Sequence, residues 1–120
     1  MSNSPENPIL DIAQAIKLAA GKADLAKDLF EMLIASLPGA SEKIMQHHRA
    51  GQADLLFQEI HRLQGACRYC GVPALLNACQ QAETYVKNSG LAGAEQLMSL
   101  LFAEIERLED WAANNSWQAP

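Results

Sequence analysis

The sequence predicts an all-α fold: an up-and-down antiparallel four-helix bundle with a short N-terminal helix that caps it. The 120-residue chain contains 20 Ala and 16 Leu but only 2 Val and 1 Thr. Ala and Leu favour helices, whereas strands favour β-branched residues. Apolar residues also recur at helical spacing in four long segments. The links between these segments are short, which makes consecutive helices antiparallel neighbours.

The first half of the chain is predicted to form the capping helix and one long helix. Residues 1–8, MSNSPENP, are polar and contain two prolines, which predicts a flexible N-terminal tail. A short helix over residues 11–19 follows and ends at Gly21. A long helix over residues 22–50 carries an apolar stripe made of Leu25, Leu29, Leu33, Leu37, Ala40, Ile44 and His47. Pro38 should interrupt this helix. Because the stripe stays in phase across it, we expect one kinked helix or two nearly collinear ones.

The second half is predicted to form three more helices. The helix over residues 53–70 carries a bundle seam made of Leu56, Ile60, Leu63, Cys67 and Cys70. In the link CGVP, Gly71 suits the left-handed position after a helix and Pro73 suits the first turn of the next one, which runs to about residue 87. The last helix is predicted over residues 92–113. These limits define a bundle over residues 9–114, followed by a C-terminal tail over residues 115–120.

Charge and composition exclude several classes of function. The net charge is −5 and the sequence pI is about 5.0, with no run of Lys or Arg, so a nucleic-acid partner is not expected. No apolar stretch approaches the ~20 residues of a membrane span, so we expect no membrane contact by this segment. No signal peptide is apparent. Three cysteines, an odd number in helical sequence, favour a reducing, cytoplasmic location.

The segment HRLQGACRYCG, residues 61–71, contains the candidate site. His61 follows a seam position, so it lies about 100° around the helix, at the edge of the buried stripe. Its face is shared by Phe57, Gln64, Gly65 and Arg68. A glycine inside a helix costs about 1 kcal/mol relative to alanine, and at this position it clears space beside the imidazole. With Arg68 on this face and Arg62 nearby, the arrangement suits a phosphoryl group. We expect five residues around His61 to form its binding or docking surface, with the glycine giving access: Phe57, Arg62, Gln64, Gly65 and Arg68.

Two other interpretations remain open from the residues alone. His61 could be a half-buried surface histidine beside a packing glycine, in a helical adaptor that is never phosphorylated. Cys67, Cys70 and Cys79 could bind zinc or form a redox pair. We disfavour the second interpretation because all three thiols fall on apolar stripes, where cysteine packs as a small hydrophobe. We therefore expect no metal site.

The chain also lacks a phosphate-cradling glycine loop and other enzyme motifs, so we expect a module without an ATP site and not an enzyme.

With these residues in place, the chain resembles the histidine-containing phosphotransfer (HPt) domain. The family pattern is His-x-Leu-x-Gly-Ala/Ser, followed by Gly, Leu, Cys or Ala, and Glu. The corresponding residues are His61, Leu63, Gly65, Ala66, Gly71, Leu75, Cys79 and Glu83. The resemblance covers residues 9–110, and the CRYCGVP segment is most similar to the domain that ends BarA/GacS-type hybrid sensor kinases.

The resemblance implies a phosphorelay intermediate of two-component signal transduction. Nε2 of His61 would accept a phosphoryl group from an aspartyl phosphate of a receiver domain and pass it to an aspartate of another receiver. Its partners would be receiver domains and, if the chain ends a hybrid kinase, the histidine kinase of the same parent. The domain would need no cofactor, because the receiver would supply Mg²⁺. The family often has Lys at the position of Gln64, which can donate a hydrogen bond but carries no charge.

Overall fold

The computed structural model describes residues 7–120, and within them it contains five α-helices and no strand. The helices are α1 (Ile12–Leu18), α2 (Ala23–Arg49), α3 (Ala53–Cys67), α4 (Pro73–Ser89) and α5 (Glu95–Asn114). Helices α2 and α4 each pack against both α3 and α5, and α1 packs against α2. The predicted helical bundle with a capping helix is confirmed. Residues 1–6 of the predicted N-terminal tail lie outside the described residues. None of the helices in the described part is long and apolar enough to cross a membrane.

Helix α2 is continuous through Pro38. Of the two predicted alternatives, one helix and two nearly collinear helices, the structure has one helix. Its buried row differs from the predicted stripe at the N-terminal end, where Ala26 and Phe30 are buried and Leu25 is 43% exposed. A strict spacing of four residues rotates about 40° per step around a helix, so Leu25 has left the buried side that Leu33 and Leu37 occupy. The observed row mixes spacings of three and four, which keeps it facing the core.

The turn between α3 and α4 is fixed by the segment that leads into α1. Helix α3 ends at Cys67, three residues earlier than predicted, and Cys70 lies in the turn, where it remains buried. Gly71 has φ +64°, and its carbonyl accepts a hydrogen bond from the backbone N–H of Asp11 at 2.7 Å. A Cβ on Gly71 would clash with the backbone oxygen of Asp11. Only glycine fits this turn, which sets how α3 and α4 lie against each other.

The end of the chain also differs from its prediction. Helix α5 begins at Glu95, three residues later than predicted, because Gly93 adopts φ +80° and the hydroxyl of Tyr85 donates to the carbonyl of Ala92 at 2.6 Å. Residues 115–120, predicted as a tail, contain no helix. Trp117 in this segment is only 6% exposed and belongs to the hydrophobic core.

Candidate functional site

The site lies where α3 and α4 face each other. The side chain of His61 on α3 is 66% exposed, whereas the preceding Ile60 is fully buried. This placement at the edge of the buried stripe is the predicted one. Nδ1 of His61 forms a short hydrogen bond with Oε2 of Glu83 on α4, whose side chain is 15% exposed. The two helices therefore bring a carboxylate to one edge of the imidazole and leave the other edge open.

This contact sets the tautomer of His61. A carboxylate can only accept hydrogen bonds, so Nδ1 of the neutral imidazole carries the proton and donates it to Glu83. The lone pair is then on Nε2, which has no hydrogen-bonding partner within residues 7–120. Phe57, one turn earlier on α3, stacks on the ring with a centroid distance of 5.9 Å and an interplanar angle of 12°. The phenyl ring of Phe57 and the carboxylate of Glu83 together fix the orientation of the imidazole and so the direction of the Nε2 lone pair.

Gln64 connects the same carboxylate to Arg68. Its amide lies between Glu83, which can only accept, and the guanidinium of Arg68, which can only donate. The amide nitrogen therefore faces Glu83, where it reaches Oε1 and lies 3.3 Å from Oε2, and its oxygen accepts from Nη2 of Arg68 at 3.3 Å. Gln64 is only 4% exposed. Its side chain turns towards α4 and is not part of an exposed docking surface of the kind that the sequence predicts.

Gly65 leaves open space beside His61. A Cβ built on Gly65 meets no heavy atom within 4 Å outside its own helix backbone. The interpretation as a packing glycine therefore has no support in the structure, since no neighbouring helix approaches it. Arg62 is also exposed, and its Nη1 lies 3.9 Å from Oε1 of Glu59 on the same helix. The predicted residues Phe57, His61, Gly65 and Arg68 thus share one face, and Arg62 flanks it.

The three cysteines are buried and form no disulfide with one another. A hydrogen bond with the Cys79 thiol, together with burial, raises the pKa of the Cys67 thiol far above its ordinary value. Burial raises the pKa of Cys70 to about 11. Both thiols are therefore protonated at neutral pH, whereas metal binding and disulfide exchange need the thiolate. Within residues 7–120, no three His, Cys, Asp or Glu side chains are grouped so as to hold a metal ion.

Glu83 was not among the site residues that the sequence predicted, although the family pattern contained it. A signal was available in the sequence. Residues at similar distances from a helix–helix turn lie at nearly the same level of an antiparallel pair. His61 precedes Gly71 by ten residues and Glu83 follows it by twelve. Glu83 also follows the buried Ala82, as His61 follows Ile60, so both lie at the edges of their apolar stripes.

Comparison with known proteins assigns the chain to a family. The family model described as "Hpt domain" matches residues 28–111. The chain is 46% identical over 101 residues to the sensor protein GacS of Pseudomonas syringae pv. syringae, which covers 84% of this chain. It is 38% identical over 82 residues, 68% of this chain, to the signal transduction histidine-protein kinase BarA of Escherichia coli K12. These matches confirm the predicted resemblance.

Structural comparison agrees. The crystal structure of the HPT domain from a Shewanella sensor hybrid histidine kinase superimposes with a TM-score of 0.82 at 29% identity, covering 88% of this chain and 92% of that one. The matched regions span only 11% of GacS and 9% of BarA. The chain therefore corresponds to about a tenth of these longer relatives.

Proposed function

Because this chain belongs to the Hpt domain family, a family of histidine phosphotransfer modules in two-component signalling, we propose that His61 is its phosphoryl carrier. The observation that carries this proposal is the orientation of the imidazole. Nδ1 is held by Glu83, which leaves Nε2 for the phosphoryl group, and Gly65 leaves open space one turn further along the same face of α3. An exposed nucleophile with a fixed tautomer is what a phosphoryl acceptor requires.

The transfer proceeds as a displacement at phosphorus. The lone pair of Nε2 attacks the phosphorus of an aspartyl phosphate on a receiver domain. The bond between phosphorus and the aspartate oxygen breaks, and the carboxylate leaves with the electron pair. The proton on Nδ1 stays in its hydrogen bond to Glu83, which offsets the positive charge that develops on the ring. The reverse displacement passes the group to the aspartate of a second receiver.

Most of the catalytic chemistry belongs to the partner in this proposal. We place Mg²⁺ on the receiver, where it would offset charge on the transferring group. This chain contributes a positioned nucleophile and a docking surface around it, with Phe57, Arg62, Gly65 and Arg68 at or beside His61 and Gln64 beneath. The domain has no catalytic activity of its own. It acts in the cytoplasm as part of a longer hybrid sensor kinase similar to GacS and BarA.

The test is phosphoryl uptake by wild-type protein and by His61→Gln. Phosphoramidate and a receiver domain phosphorylated on its aspartate serve as donors, and intact-mass spectrometry counts phosphoryl groups. We expect one acid-labile, base-stable group on the wild type and none on His61→Gln, with unchanged helical circular dichroism. His48→Gln, which removes a histidine from the last turn of α2, is the matched control and should take up one group.

The competing function is a helical adaptor that binds partners without being phosphorylated. It predicts no uptake by the wild type from either donor. Uptake that persists in His61→Gln would instead assign the carrier to another residue. Either result would contradict the proposal.

A further inference from the structure

Arg68 is held on the His61 side of α3 by a chain of hydrogen-bonded side chains, of which Gln64 is buried. Its Nη2 donates to the oxygen of Gln64, whose nitrogen donates to Glu83, which in turn accepts from His61. Side chains on a helix lean towards its N-terminus. Arg68, at the C-terminal cap of α3, therefore extends back over the preceding turn, towards His61.

The space between these two residues is open. His61 and Arg68 are seven residues apart, about two turns or 10 Å along the axis, and they lie on nearly the same side of the helix. Gly65 lies between them and has no side chain, and nothing approaches its Cβ position within 4 Å. This face of α3 therefore has room for a phosphoryl group, on the side towards which the guanidinium extends.

The local charge requires a cation there. A phosphoryl group brings up to about two negative charges, and Glu83 already places a carboxylate against the same imidazole. Gln64 is uncharged and buried, with its amide engaged on both sides, so it cannot neutralise the group. Arg62 is directed to Glu59 and lies about 100° around the helix from His61. Arg68 is the cation that the polar chain connects to the site.

We infer that Arg68 is the residue that binds the phosphoryl group on His61, held in place by Gln64. The inference rests on the proposed function, since it presupposes phosphorylation of His61. It assigns separate roles to the two arginines near the site. Arg68 stabilises the phosphorylated state, whereas Arg62 remains available to a docking partner.

The decisive measurement is the equilibrium partition of the phosphoryl group between His61 and the aspartate of a receiver domain. A residue that only helps docking changes the forward and reverse rates together and leaves this partition unchanged. A residue that stabilises phosphohistidine shifts the partition. A charge-assisted hydrogen bond to a partly exposed phosphoryl group is expected to shift it about tenfold. The variants are Arg68→Gln, Arg68→Lys and Arg62→Gln, with Lys27→Gln near the start of α2 as a charge-matched control.

We expect Arg68→Gln to move the partition about tenfold towards the receiver, and Arg68→Lys to restore most of the loss because it restores the charge. Arg62→Gln should alter the KM for the receiver and leave the partition near the wild-type value, and Lys27→Gln should change neither. Uptake from phosphoramidate should also be slower in Arg68→Gln. The melting temperature is measured on the same preparations, because a cation at a helix C-terminus also stabilises the helix.

Three results would overturn the inference. The first is a wild-type partition in Arg68→Gln, whether or not its melting temperature falls, which would leave Arg68 as a helix-capping charge only. The second is a shift of equal size in Arg62→Gln, which would indicate a general effect of charge. The third is no phosphorylation of the wild-type protein, which would remove the proposed function as well. The first two results leave His61 as the phosphoryl carrier. A failure of the inference about Arg68 can therefore be distinguished from a failure of the proposed function.

Discussion

Replacing Gly65 by glutamine should separate folding from partner access. The position lies inside α3, where glycine is less favourable than most residues by up to about 1 kcal/mol. No atom within 4 Å opposes a Cβ there, so Gly65→Gln should gain about 0.5–1 kcal/mol. Unfolding entropy of about 2.1 cal/mol/K per residue gives roughly 0.25 kcal/mol/K for a chain of this length. The melting temperature should therefore rise by about 2–4 °C.

The same substitution should block the receiver. A helical side chain covers the surface over the turn that precedes its own Cα, so a glutamine at position 65 would lie over His61. Phosphoryl transfer needs the reacting atoms about 3 Å apart, and a displacement of 1 Å can cost about 100-fold in rate. We expect receiver-dependent phosphorylation of His61 to fall by about that factor. Phosphoramidate is small and should lose less than about tenfold.

The assay measures the melting temperature and both phosphorylation rates on one preparation. Ala103→Gln is the matched control, because it adds the same side chain to an exposed position on α5, which packs against α2 and α4. The control should keep both rates within about threefold of wild type, as most exposed substitutions away from a site have small effects. Unfolding of Gly65→Gln would show that the glycine is needed for packing. Transfer from the receiver at the native rate would refute the argument from access.

Two further predictions concern the support of the site. Glu83→Gln keeps a hydrogen-bond acceptor but loses its charge, so phosphorylation of His61 should slow by about tenfold and ¹⁵N NMR should show less of the Nδ1–H tautomer. Glu106→Gln on α5 is the control. An unchanged tautomer in Glu83→Gln would exclude the orienting role of Glu83. Gly71→Ala should destabilise the fold by at least about 1–2 kcal/mol, because the φ of +64° at this position is unfavourable for alanine and the new Cβ would clash with Asp11. Gly39→Ala is the control: its Cβ would meet no atom within 4 Å, so it should not lower the melting temperature in thermal denaturation. Equal stability of the two variants would contradict this account.

Periodicity was sufficient to predict the helices and their order, because each long helix buries one side against its neighbours. The seam of α3, from Leu56 to Cys67, is buried as expected. Element ends were less accurate, since they depend on local backbone geometry that periodicity does not contain. Gly93 delays α5 through a positive φ, and the segment after α5 returns Trp117 to the core although its composition resembles a polar tail.

His61 and Gln64 differed in how well the sequence alone predicted their positions. His61 could be found because a glycine inside a helix is a local anomaly that needs no knowledge of other helices. Gln64 appeared to share the exposed face, because helical spacing gives the angle of a residue but not the direction from which the next helix approaches. That direction places Gln64 against Glu83 and buries it.

The pairing of His61 with Glu83 depends on the turn that joins their helices. Each helical residue advances the chain by about 1.5 Å, so a slip of one residue between α3 and α4 would exceed the spread of about 0.5 Å over which the donor–acceptor distance of a hydrogen bond varies. Gly71 prevents such a slip in two ways. Its carbonyl accepts a hydrogen bond from the backbone N–H of Asp11, and because it has no Cβ, the segment that leads into α1 can pack directly against the turn. The capping helix, remote from His61 in sequence, thereby fixes the register in which Glu83 orients the imidazole. A substitution that loosens this turn should weaken the His61–Glu83 hydrogen bond before it unfolds the bundle.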